Sequence, residues 1–105
     1  MKVKFKKWNC ITRVGWHCNE NLGIELIDEE DGGVIAKATI NPDIELLDNQ
    51  VAIKDYTENA GMVEALLSAG VISRYIKSVP AGFMMVPVYE ISEEFKKEVE
   101  RAEEE

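Results

Sequence analysis

Lys54-Asp55-Tyr56-Thr57-Glu58-Asn59 places an ammonium, two carboxylates, a phenol, a hydroxyl and an amide in six consecutive residues, just ahead of Gly61 and Met62. Asp55 and Glu58 are three apart, a spacing that sets two carboxylates on one helix face, where they could divide acid and base roles. It is also the spacing of a capping box, with Asp55 in place of Ser or Thr, which would use both groups structurally. Lys54, Tyr56 and Asn59 could hold an anion or nucleotide at a helix N-terminus, although cap residues compete for the same N–H donors. Cys10, His17 and Cys18 supply at most three metal ligands, with no Cys-x-x-Cys and no second His, so no metal is expected and the thiols should be reduced. His17 is adjacent to Cys18, and neighbours in a strand point to opposite faces, which disfavours a thiol–imidazole pair. No phosphate-loop, dinucleotide, nucleophile-elbow or zinc-protease motif occurs. Trp8, Trp16 and Tyr75 could stack a planar ligand, but core or sheet packing accounts for them more simply. The expectation is a non-enzymatic chain without cofactor.

These residues need elements to position them. Val51–Ile53 reads as a short strand leading into the polar turn. Met62, Leu66 and Ala69 form a helical stripe, widened by Val63 and Leu67, that ends on Gly70. Within a helix starting near residue 58, Gly61 is interior and suggests close approach of another group. Upstream, Val3 and Phe5 are odd-numbered and Trp8, Cys10, Val14 and Trp16 even-numbered, so the strand phase flips at Lys6-Lys7, as at a bulge or break. Gly15 suggests a second irregularity. Leu22–Leu26 and Val34–Ile40 alternate as hairpin arms around Asp28-Glu29-Glu30-Asp31-Gly32-Gly33, whose acids suit a turn. Val79-Pro80-Ala81-Gly82 reads as a β-turn. Phe83–Tyr89 is apolar on both faces, and Pro87 suggests an edge or a bulge, so a partner or the C-terminal helix should cover it. Ser92 is the expected N-cap of that last helix, with Phe95, Val99 and Ala102 as its apolar stripe.

The 105 residues suffice for one domain, and the net charge of −8 is unevenly spread. Five cations and no acid lie in residues 1–13, whereas residues 92–105 carry seven Glu against three cations. The overall sign disfavours nucleic acid. No stretch approaches the about 20 apolar residues of a membrane span, and the lysine-rich start lacks an apolar leader core, so a cytoplasmic location is expected.

The string Ile53-Lys54-Asp55-Tyr56-Thr57-Glu58-Asn59-Ala60-Gly61-Met62, followed by Ala65-Leu66, Ala69-Gly70-Val71-Ile72, Val79-Pro80-Ala81-Gly82-Phe83 and Val86-Pro87-Val88, resembles a family of small proteins from bacterial phages and conjugative elements. Lys6-Lys7-Trp8-Asn9-Cys10 is similar as well, and the resemblance spans residues 1–91. It brings no activity with it. It implies accessory cargo of a mobile element, a setting in which small proteins engage host factors.

The sequence therefore predicts an α+β domain over residues 1–91, an antiparallel sheet of about five strands with one packed helix, and an acidic helix or tail over 92–105. The expected function is binding and modulating a host protein. The alternative is a small-ligand or nucleotide-sequestering protein. Lys54, Asp55, Tyr56, Thr57, Glu58, Asn59, Gly61 and Met62 are the candidate ligand- or partner-binding residues. Phe83, Met85, Val86 and Pro87 are the candidate interface of a homodimer.

Overall fold

The computed structural model describes residues 1–104; Glu105, the end of the expected acidic segment, lies outside them. Seven antiparallel strands form two sheets, with two α-helices, so the chain is α+β with more strands than expected. The first sheet runs β1 (Lys2–Phe5), β2 (Trp8–Trp16), β3 (Leu22–Asp28), β4 (Val34–Lys37). The phase flip at Lys6-Lys7 is a complete chain reversal. Phe5 pairs with Trp8 and Val3 with Cys10, so partners on one face have opposite parity. Lys6 takes the positive φ of 55° that the tight turn needs. Gly15 marks no irregularity: it pairs in regular register with Gly23. In the β3–β4 turn, Asp28 and Asp31 accept hydrogen bonds from the Glu30 and Gly33 amides, both 2.8 Å, and Gly32 has φ 76°. The acids there shape the turn.

The second sheet has the order β5 (Gln50–Ala52), β7 (Met84–Ile91), β6 (Ile72–Ala81). A bridge between Thr39 and Ile53 joins it to the end of the first sheet. Helix α1 (Met62–Ala69) packs against β1 and β6, the two far edges, and helix α2 (Glu93–Glu103) packs against β2. One core lies inside this wrap, with Phe5, Ile24, Leu26, Ile53, Met62, Leu66, Phe95 and Val99 all buried. A smaller cluster of Leu46, Ala52, Val79, Val86 and Val88 lies behind the second sheet. No helix among the described residues is long and apolar enough to cross a membrane.

Both expected helix stops and starts near α2 are present. Gly70, φ 77°, closes α1 with the paired bonds of a left-handed cap. The Ser92 hydroxyl accepts from the Phe95 amide and donates to the Gly70 carbonyl at 2.6 Å, fastening the end of α1 to the start of α2. Phe95 and Val99 then enter the main core, so α2 belongs to the body of the protein.

Three expectations are corrected. Helix α1 begins at Met62, because residues 57–59 form a separate 3-10 turn and Gly61, φ 98°, is the left-handed residue between them. Glycine is required there by the backbone, outside the helix. The β6–β7 turn is Gly82-Phe83, with Ala81 opposite Met84, so Pro80 lies within β6. Strand β7 is central rather than an edge. Pro87 is tolerated because its carbonyl accepts from Ile53 at the very end of β5. Its nitrogen faces the same side, where β5 has already turned away toward Ala38.

Candidate functional site

The polar turn of residues 54–62 is closed upon itself. The Asp55 carboxylate accepts from the amides of Gly61 (2.6 Å), Met62 (3.1 Å) and Val63 (3.4 Å). It thus caps α1 from beyond the 3-10 turn and takes the donors that an anion would use. Glu58 does not complete a capping box; it pairs with Lys54 at 2.7 Å and accepts from the Thr57 hydroxyl. The Lys54 hydrogen bond, then the Thr57 hydroxyl, pull the Glu58 carboxyl down to about 2, and the same contact raises Lys54. The Lys54 ammonium also lies 5.7 Å from the centre of the Tyr56 ring. Asn59 is buried and donates to the Lys37 carbonyl at 2.7 Å, and Met62 is in the core. Lys6 donates to the Glu58 carbonyl, tying the first hairpin to the same turn. The structure brings all eight sequence-selected residues together, as a knot tied to the β1–β2 turn through Lys6 and to the end of β4 through Lys37. Thr57 and Glu58 are its most exposed side chains.

The β6–β7 hairpin distributes the candidate interface residues over both faces. Pairing places Tyr75 opposite Tyr89, Ser78 opposite Pro87 and Pro80 opposite Met85 on one face. Val79–Val86 and Lys77–Val88 lie on the other. Phe83 at the tip is fully exposed, Met85 62% and Tyr75 53% exposed, whereas Val86 is buried in the smaller cluster. Val86 is therefore unavailable for contact, and Pro87 is half-buried. Tyr75 and Tyr89 meet edge-on, with ring centres 5.7 Å apart, and the Tyr75 hydroxyl hydrogen-bonds Ser78. The face running from Tyr89 to Phe83 carries no charged side chain, since Arg74 pairs with Glu90 and Lys77 lies with Val88, both on the opposite side. Bare aromatic side chains span about 150–250 Å², so the exposed fractions leave on the order of 500 Å² of apolar surface here. Helix α2 packs on β2 of the first sheet.

A hollow of about 210 Å³ on the outer face of the first sheet escaped sequence reasoning. Paired Gly15 and Gly23 leave its floor bare, and His17, Glu25, Lys37 and Thr39 line it. The His17 Nε2 is buried beside Gly23 without a hydrogen-bond partner. Two glycines placed opposite one another were the available signal, but it requires the β2–β3 register. Cys10 is buried, and burial followed by the cross-strand Asp28 charge pushes its thiol up, away from the reactive thiolate. Cys18 is exposed. Among the described residues no three His, Cys, Asp or Glu are grouped to hold a metal ion.

Comparison of the chain with protein-family models, curated proteins and solved structures gives no match in any of the three.

Proposed function

We propose that this chain is a non-catalytic binding protein, an accessory protein of a phage or mobile element that engages a host protein in the cytoplasm. Two copies pair through the β6–β7 hairpin. One observation carries the pairing: an exposed, charge-free, apolar face at Tyr75, Pro80, Phe83, Met85 and Pro87. In a two-fold contact, residues on the axis meet their own copies, so charged groups there repel. In a chain of net charge −8 this uncharged face is the surface that can meet itself at least electrostatic cost. Exposed apolar surface of this extent usually marks an interface. The resemblance over residues 1–91 supports the mobile-element setting and the host partner. The competing reading, a nucleotide or small ligand at residues 54–62, is weakened because Asp55 already takes the helix donors.

Light scattering on the intact chain and on a Phe83→Asp/Met85→Asp variant tests the pairing. A dimer that becomes a folded monomer in the variant is expected. An intact chain that stays monomeric at every accessible concentration refutes self-association. Affinity capture from host lysate, with the dimer-deficient variant in parallel, tests the host partner.

A further inference from the structure

Two adjoining cavities, of about 430 and 340 Å³, run along the C-terminal half of α2 and share Asp48, Val99 and Glu103. Their floor is apolar, from Leu22, Ile91 and Val99. Their walls carry the carboxylates of Glu20, Asp48, Glu100 and Glu103, against one cation, Lys96. None of these four carboxylates belongs to an ion pair among the described residues. At one end stands Trp16, 45% exposed. The negative end of the α2 dipole adds to the same potential.

These features together fit one chemistry. An indole face attracts a guanidinium or ammonium, and carboxylates beside it fork with guanidinium N–H groups. The carboxylates are not grouped closely enough to hold a metal ion, so they suit charges spaced along a chain. The apolar floor suits the methylene stems of Arg and Lys. A chain of net charge −8 also draws a basic partner by long-range attraction.

We propose that this groove docks a basic, arginine-containing segment of a protein partner, with one guanidinium stacked on Trp16 and others paired to Asp48, Glu100 and Glu103. The groove is separate from the β6–β7 hairpin face and does not depend on the pairing of copies there.

The probe is a fluorescein-labelled tetra-arginine peptide, followed by anisotropy against the intact protein at low and high salt. Saturable binding that weakens with salt is expected. Asp48→Asn/Glu103→Gln should weaken it roughly tenfold, and Trp16→Ala about threefold. The control Glu30→Gln/Asp31→Asn removes equal charge from the exposed β3–β4 turn and should leave binding within about twofold. Circular dichroism confirms that each variant is folded. Absence of binding at low salt overturns the proposal. So does an equal loss in the β3–β4 turn control, which would make the attraction general. Spermine binding as tightly as the peptide, with no dependence on Trp16, overturns it in favour of a polyamine.

Discussion

Asp55 holds the amides of Gly61, Met62 and Val63, the residue before α1 and its first two, from six to eight residues away, and its removal has a definite expected cost. Loss of a neutral cap costs about 0.5–2 kcal/mol. Here the acceptor is ionised and stands at the positive end of the helix dipole, which adds about 0.3–1 kcal/mol. Asp55→Ala should therefore destabilise by about 2 kcal/mol, lowering the melting temperature by about 8 °C for a chain of this size. Asp55→Asn keeps an acceptor and should lose about half as much. Thr57 is the informative control. Its hydroxyl bonds the Tyr56 carbonyl and Glu58 and touches no amide of α1, so Thr57→Ala should stay within about 0.5 kcal/mol. Urea unfolding followed by circular dichroism measures all three, with unchanged slopes expected. If Thr57→Ala costs as much as Asp55→Ala, or Asp55→Ala costs less than about 0.5 kcal/mol, the capping argument is wrong.

The native protein should react with a thiol reagent at Cys18 alone, Cys10 becoming reactive only on unfolding; two fast thiols would contradict the burial of Cys10. Glu58, folded near 2 against an ordinary value of 4.5, should hold the Lys54 contact intact above the ordinary value and lose it only as pH falls through about 2; a carboxyl-carbon titration with an ordinary midpoint would refute this. Asn21 is buried, donates to Asn41 and the Ile44 carbonyl, and accepts from the Leu46 amide. Asn21→Ala should cost about 2–3 kcal/mol in a thermal melt, because it strands buried backbone groups of the 41–46 loop.

What the sequence made legible was local. Alternation exposed the inward faces of β2 and β3, and the Gly70 and Ser92 caps follow from residue type alone; in β4 a bulge at Ile35 puts Val34 opposite Ile27 and leaves it 51% exposed, against the alternation. The misplaced features depend on partners distant in sequence. Gly61 could be assigned to the helix interior because nothing local shows that Asp55 caps across an intervening turn. Pro87 suggested an edge because its tolerance depends on where β5 stops. The Lys6-Lys7 flip was visible as a change of phase, but distinguishing a bulge from a reversal requires the Val3–Cys10 pairing. At the candidate site, the cluster of residues 54–62 was legible as a cluster. Its self-satisfaction was not, since Lys37 at the end of β4 and Lys6 in the β1–β2 turn supply the partners. Phe83 and Met85 were legible as unusual apolar residues, but their separation from Val86 required the hairpin register.

Strand β6 is a ten-residue edge of a sheet, beside an apolar tip. Such an edge ordinarily invites endless strand addition. Ser73 and Ile76 are extra residues that bulge it, Lys77 puts a charge along it, and Pro80 withholds an amide. The sticky face and the backbone edge are thereby uncoupled. Side chains at the tip can be buried once, in a closed contact, while the backbone offers no ladder on which a third or fourth chain could grow. Concentrating this protein should give a finite particle of fixed mass in place of a fibre.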